Sequence, residues 1–159
     1  MSLEQNKAIV LEFYEAFDQQ DVERGFKLMS ADIVARGLDR NPIQGYDAVM
    51  QYGAMMFAAF PDGRHILEEA IAEGDKIVTR GIFKGTHQGE LMGIAPTGKQ
   101  VTFSVVHIDR LENGKIVEHW GQGDVQELMR QLGIMFFPSP QLVLYTLKNS
   151  LFKVLKIFN

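Results

Sequence analysis

Four side chains in the second half of this chain can together move a proton. His107 and His119 bring imidazoles, which titrate near neutral pH; Asp124 brings a carboxyl, and Trp120 an apolar wall. They lie in or just beyond two runs, 99–111 and 115–121, in which apolar and polar residues alternate. Asn113-Gly114 between the runs is the strongest short-range signal for a β-hairpin. Removing a proton next to a carbonyl needs a base poised near neutrality, and an apolar wall raises a carboxyl pKa by desolvation. Each residue also has a plainer reading. Asp124 opens a helical stretch at 124–132, and Asp is a favoured N-cap. His107 shares a strand face with Phe103 and Val105, which suits an imidazole on a cavity wall and equally a hydrogen-bonded histidine in the core. Alternation sets His119 against Trp120, so if Trp120 lines a cavity then His119 points to the outer face.

Other candidates are weaker. His87, in Gly85-Thr86-His87-Gln88-Gly89, stands near a strand end, either bordering a cavity mouth or satisfying backbone groups at a bend. His65 follows a turn and reads as a surface residue. Arg80, mid-strand, either orients a carbonyl or anionic substrate or pairs outward with Glu69 or Glu73. Tyr14, Met29, Tyr52, Met55, Met56 and Phe57 sit on apolar helix stripes, which form core or, where helices roof a cavity, suit an irregular hydrophobic ligand.

The elements that must hold these side chains follow from patterning. Ser2 with Gln5 is a capping box, and apolar residues at helical spacing predict a helix over 3–19. Asp21 caps a short second helix through Met29, residues 32–35 read as a strand, and a third helix spans 46–60 before Pro61-Asp62-Gly63. Strands are predicted at 65–73, 76–85, 99–111 and 115–121, with a Gly- and Pro-rich loop at 92–98. Helices first, then an antiparallel meander, predict an α+β fold with a curved sheet wrapped around the helices. Such a cone leaves a hollow, where small-molecule sites lie.

Composition narrows the function. At 159 residues with 46% hydrophobic and 23% charged residues, the chain is the size of one globular domain. It has no cysteine, which removes disulfides, thiol nucleophiles and zinc–thiolate sites and suits a reducing cytoplasm. Glu4, Glu12, Glu15 and Asp18 interrupt the first twenty residues as no signal peptide does. A net charge of −4 without a basic cluster in the body argues against nucleic-acid binding. No phosphate loop, metal-ligand spacing or Gly-x-Ser-x-Gly elbow is present, so neither metal nor cofactor is predicted.

Several segments resemble the SnoaL-like polyketide cyclases, within the larger nuclear transport factor 2-like fold. They are Ala59-Phe60-Pro61-Asp62, residues 73–78, Arg80, residues 85–89, residues 93–99 and the stretch 114–133; the likeness spans about residues 4–133. The resemblance implies a cone-shaped α+β body with an apolar cavity, often in homodimers, without metal or organic cofactor. It implies ring closure by intramolecular aldol condensation with an acid/base Asp near a His. Asp124 matches the Asp of the family's Trp-x-x-x-Asp pattern, here Trp120 to Asp124, and is therefore the leading candidate for the acid/base, with His107 stabilising or protonating the oxyanion. Trp120, His87, Arg80, Phe103, Val105, Tyr14 and Met56 are the candidate substrate contacts. Gly121 and Gly123 depart from the family, which more often has bulkier residues there.

The expected activity is therefore a cofactor-independent cyclase or isomerase acting on a hydrophobic carbonyl compound; the rival is a non-catalytic carrier using the same hollow. The chain divides into residues 1–133 and a C-terminal extension, 134–159, with Lys148, Lys153 and Lys156 and no acid. Residues 141–158 predict an amphipathic helix that packs on the body or across a dimer, or else rests on an anionic membrane surface.

Overall fold

The computed structural model describes residues 2–38 and 41–134. Ser2 starts helix α1 (Leu3–Asp18): its hydroxyl accepts from the Gln5 N–H at 3.2 Å, and the Gln5 side chain accepts from the Ser2 N–H at 2.8 Å. These two bonds satisfy donors that a bare helix start would leave open. Asp21 caps α2 (Val22–Leu28) by accepting from the Arg24 N–H. Strands β1 (Met29–Arg36) and β2 (Ile43–Gln44) lead to α3 (Tyr46–Ala59). The meander follows as β3 (Arg64–Glu73), β4 (Lys76–Thr86), β5 (Gln100–Glu112) and β6 (Lys115–Gly123), and α4 (Val125–Leu132) closes the described chain. The strand expected over 32–35 is longer because β1 runs beside β6, a pairing that starts at Met29 opposite Ile116.

The sheet has the order β2-β1-β6-β5-β4-β3, with β1 and β6 parallel and every other pair antiparallel. Its two edges do not meet, so it is a curved open sheet rather than a closed barrel. Along β5 burial alternates residue by residue, with Val101, Phe103, Val105, His107, Asp109 and Leu111 inward. Helix α1 lays Val10, Phe13 and Tyr14 against that inner face, forming one core cluster with Ile33, Ile77 and Ile116. A second cluster joins Phe60, Phe83, Val101 and Phe103 to Leu128 and Leu132 of α4. Gln131 pins α4 to β5, accepting from the Thr102 N–H at 2.8 Å and donating to the Thr102 carbonyl at 2.7 Å.

Two β-bulges set which side chains look inward. Between β5 and β6, Arg110 pairs with Glu118 but Leu111 pairs with Ile116, so Val117 is the extra residue. An inserted residue shifts the alternation by one position. Ile116 is buried, but beyond the bulge the buried positions are His119 and Gly121. Between β3 and β4 a second shift falls between Leu67 and Glu69. The C-terminal extension expected at 134–159 lies outside the described residues beyond Ile134. Among the described residues, no helix is long and apolar enough to cross a membrane.

Candidate active site

The two clusters do not fill the space between them. A cavity of about 180 Å³ is left under α1 and α3, walled by both and floored by the inner face of the sheet. Met92 and Val125 line it while exposed to solvent, and mark where it opens. Among the described residues that line it, none is Asp, Glu, Lys or Arg. Its titratable side chains are His65, His107 and His119 with Tyr14 and Tyr52.

These imidazoles are differently supported. Asp109, fully buried on β5, stands directly opposite His119 on β6. Its Oδ1 lies 2.8 Å from His119 Nδ1, and its Oδ2 accepts from the Tyr14 hydroxyl at 3.0 Å. A carboxyl out of water is costly unless both oxygens are bonded, and here both are. Burial first, and then the Asp109 carboxyl beside it, raise the Tyr14 pKa well above its ordinary value, so this phenol remains a donor. With Nδ1 of His119 engaged by the carboxyl, Nε2 is the nitrogen left to act on a ligand.

His107 has no such partner. It is 7% exposed, and neither ring nitrogen has a hydrogen bond among the described residues. Its ring centre lies 4.9 Å from that of Tyr14, 5.4 Å from His119 and 5.6 Å from His65. Burial, and then the neighbouring His119 and His65, lower its pKa from 6.5 to about 2. It is therefore a neutral imidazole at physiological pH, able to donate one hydrogen bond and accept another. His65 is held by Asp18, 2.7 Å from Nδ1, and its own backbone N–H donates to the same carboxyl at 2.7 Å.

Gly121 marks where two of the imidazoles converge. A β-carbon on residue 121 would sit 3.1 Å from His119 Nε2 and 3.6 Å from His107 Nδ1, beside the tip of Leu38. A ligand atom placed there would be within hydrogen-bonding reach of His119 Nε2 and in van der Waals contact with the His107 ring, once Leu38 gives way.

The sequence-predicted residues divide accordingly. His107, Phe103, Val105, Tyr14 and Met56 line the cavity. Asp124 does not: it is exposed and caps α4, accepting from the Glu127 N–H at 2.9 Å, which is the plainer of its two readings. Trp120 is 48% exposed on the outer face, where its indole N–H donates to Glu118 and Arg36 lies over its ring. The bulge at Val117 accounts for this exchange, turning His119 in where plain alternation from Ile116 would turn in Trp120. Arg80 is exposed and paired with Glu68 and Glu69, so it contacts no cavity. His87 is fully buried but outside the lining; its Nδ1 accepts from the Thr97 N–H, tying down the loop before β5. His65, expected on the surface, is turned inward by Asp18.

The SnoaL-like polyketide cyclase profile matches residues 8–132. The chain belongs to that family. Among its relatives, nogalonic acid methyl ester cyclase from Streptomyces nogalater is 37% identical over 73 residues, 42% of this chain and 54% of that protein. Aklanonic acid methyl ester cyclase AcmA from Streptomyces galilaeus is 35% identical over 75 residues, 46% of this chain and 52% of that protein. The chain thus spans about half the length of these curated relatives. AclR, a candidate hydroxylase from Streptomyces galilaeus, superposes with a TM-score of 0.76 at 32% identity, covering 85% of this chain and all of the other. The nuclear transport factor 2-like fold implied by the sequence is the fold observed.

Within this SnoaL-like body, the sequence reading missed Asp109, the inward His119, and the His65–Asp18 pair. Asp109 carried a usable signal: it stands two residues after His107, hence on the same strand face, among apolar neighbours. The pairing of Asp18 with His65 joins α1 to β3 and has no local signature.

The state of His107 predicts a stability profile. The native ring refuses a proton that the unfolded chain accepts below pH 6.5, so its contribution is complete above that pH and declines as pH falls toward about 2. The slope from this residue approaches about 1.4 kcal/mol per pH unit. Urea unfolding of the wild type should show stability falling between pH 6.5 and 5, and His107→Phe should flatten that decline; an equally steep profile in the variant would contradict the assignment.

Proposed function

We propose that this protein is a cofactor-independent cyclase that deprotonates a hydrophobic carbonyl compound of the polyketide class, with His119 as the base. The observation that carries this reading is the Tyr14–Asp109–His119 chain of hydrogen bonds ending in a cavity with no carboxyl among the described residues that line it. Asp109 fixes the tautomer of His119 and balances the positive charge when the ring takes a proton, the service a buried carboxyl gives a catalytic histidine elsewhere. Tyr14 holds the other carboxyl oxygen, so the carboxyl cannot rotate away. His107, neutral and without a hydrogen-bond partner among the described residues, donates its N–H to the oxygen on which charge develops.

In an aldol closure the C–H electron pair next to one carbonyl becomes the new C–C bond to a second carbonyl carbon. The proton passes to His119 Nε2, and the second carbonyl's π pair moves onto its oxygen, which must then gain a proton. The apolar walls, with Phe83, Phe103 and Val105 among them, exclude water and strengthen each of these contacts. Nogalonic acid methyl ester, the compound for which the 37% identical relative is named, is the natural probe.

The same reading includes a homodimer. Val106, Ile108 and Trp120 are exposed on the outer face of β5 and β6, and Ile108 stands directly opposite Trp120. This apolar strip supports pairing of two sheets. Sedimentation at micromolar concentration should give a dimer, and Ile108→Asp should shift it toward monomer; a monomeric wild type would contradict the proposal.

His119→Gln and Asp109→Asn should each reduce turnover of the probe by roughly 10²- to 10⁴-fold, as loss of a general base does. Asp124→Asn should leave turnover and stability nearly unchanged, because Asn caps a helix as well as Asp. If Asp124→Asn abolishes turnover while His119→Gln does not, the assignment is wrong. Tight binding of the probe without conversion would instead make the protein a carrier.

A further inference from the structure

An aldol closure leaves an alkoxide that must gain a proton, on a different atom from the carbon that lost one. His119 begins the step as the acceptor, and His107, held neutral with a pKa near 2, is a hydrogen-bond donor and not a source of protons. A second oriented imidazole stands across the cavity. His65 on β3 lines the cavity with its Nδ1 taken by Asp18 of α1, their side chains 9% and 12% exposed. Its ring centre lies 5.6 Å from His107, on whose other side His119 lies at 5.4 Å. Tyr14, 5.3 Å from His65, packs beside both His65 and His107.

His65 also borders a second opening, apart from the cavity mouth. An outer groove between α1 and β3 is lined by Asp18, Glu15, Gln19 and Arg64, and among the described residues only Tyr14 and His65 line both this groove and the cavity. Of these two shared residues, the Tyr14 phenol is bonded to Asp109 and the His65 imidazole to Asp18, a carboxyl on the groove side.

We propose that His65, oriented by Asp18, is the proton donor that completes the reaction His119 begins. The proposal rests on the reading of His119 as base. His119 Nε2 takes the proton of the broken C–H bond, whose electron pair forms the new C–C bond. The carbonyl oxygen, taking up its π pair, receives the proton carried on His65 Nε2. After product leaves, His119 returns its proton to water through the cavity mouth, and His65 regains one from water in the outer groove, so the cycle closes without net change. Asp18 holds Nδ1 and so leaves Nε2 as the nitrogen that meets the substrate oxygen.

The two proton transfers can be read separately in deuterated water with nogalonic acid methyl ester as probe. Deuterium entering the probe next to its carbonyl reports the first transfer, and conversion to cyclised product reports the completed reaction. His65→Gln should keep deuterium entry within about threefold of wild type while lowering conversion at least roughly 100-fold, the range for loss of a general acid. Asp18→Asn, which keeps an acceptor for the His65 backbone N–H, guards against misfolding of the first variant and should show the same split to a smaller degree. His119→Gln should lose both signals. Conversion by His65→Gln and Asp18→Asn at wild-type rates, or equal loss of deuterium entry and conversion in both, would overturn the proposal and leave the pair a scaffold. A wild type that neither exchanges nor converts the probe would overturn the assignment of His119 itself, and the donor with it.

Discussion

A carboxyl with no access to water organises the interior of this protein. Asp109 is fully buried, and it is tolerated because a phenol from α1 and an imidazole from β6 bond its two oxygens. Those bonds fix the seating of α1 on the sheet, since Tyr14 must reach β5, and they fix the ring of His119 toward the cavity. The demand of one desolvated group for partners thus couples helix docking to the geometry of the site. The described cavity lining is otherwise mostly apolar, with His65, His107, Tyr52 and Gln122 as its other polar side chains.

Strand phase is the second constraint. On β5 simple alternation places Phe103, Val105, His107 and Asp109 on one face. On β6 it would turn in Glu118 and Trp120, bringing a carboxyl and an indole inside and sending the imidazole out. One extra residue at Val117 reverses this, so that His119 meets Asp109 and Gly121 meets His107. The absence of a side chain at Gly121 lets the tip of Leu38 and the His119 ring lie close against the strand there. A bulge thereby converts an ordinary hairpin into a site, and it leaves Trp120 on the outer face beside Ile108.

Much of the fold was legible in the sequence because its signals are local. The Ser2–Gln5 capping box, the Asp21 cap, the Asn113-Gly114 hairpin and the alternation through β4 and β5 each act over a few residues, and the elements form where they point. The site was legible only in part. His107, Phe103 and Val105 follow from alternation along an unbroken strand, whereas His119 sits beyond a bulge that no residue type announces. Asp124 carried two readings that could hold together, and the structure shows the cap, its carboxyl accepting from the Glu127 N–H. His65 looked like a surface residue because the carboxyl that captures it lies in α1, far away in sequence. Pairings made by tertiary folding leave no periodic trace.

The central claim is that Asp109 accepts the Nδ1–H of His119 and so presents a bare Nε2 to the cavity. Nitrogen NMR of the uniformly labelled protein near neutral pH tests this directly, because protonated and bare ring nitrogens resonate in separate regions. The account predicts that His119 carries its proton on Nδ1, and that Asp109→Asn redistributes the proton between the two nitrogens. A resting His119 with its proton on Nε2 would contradict it, for such a ring has no lone pair to offer a substrate.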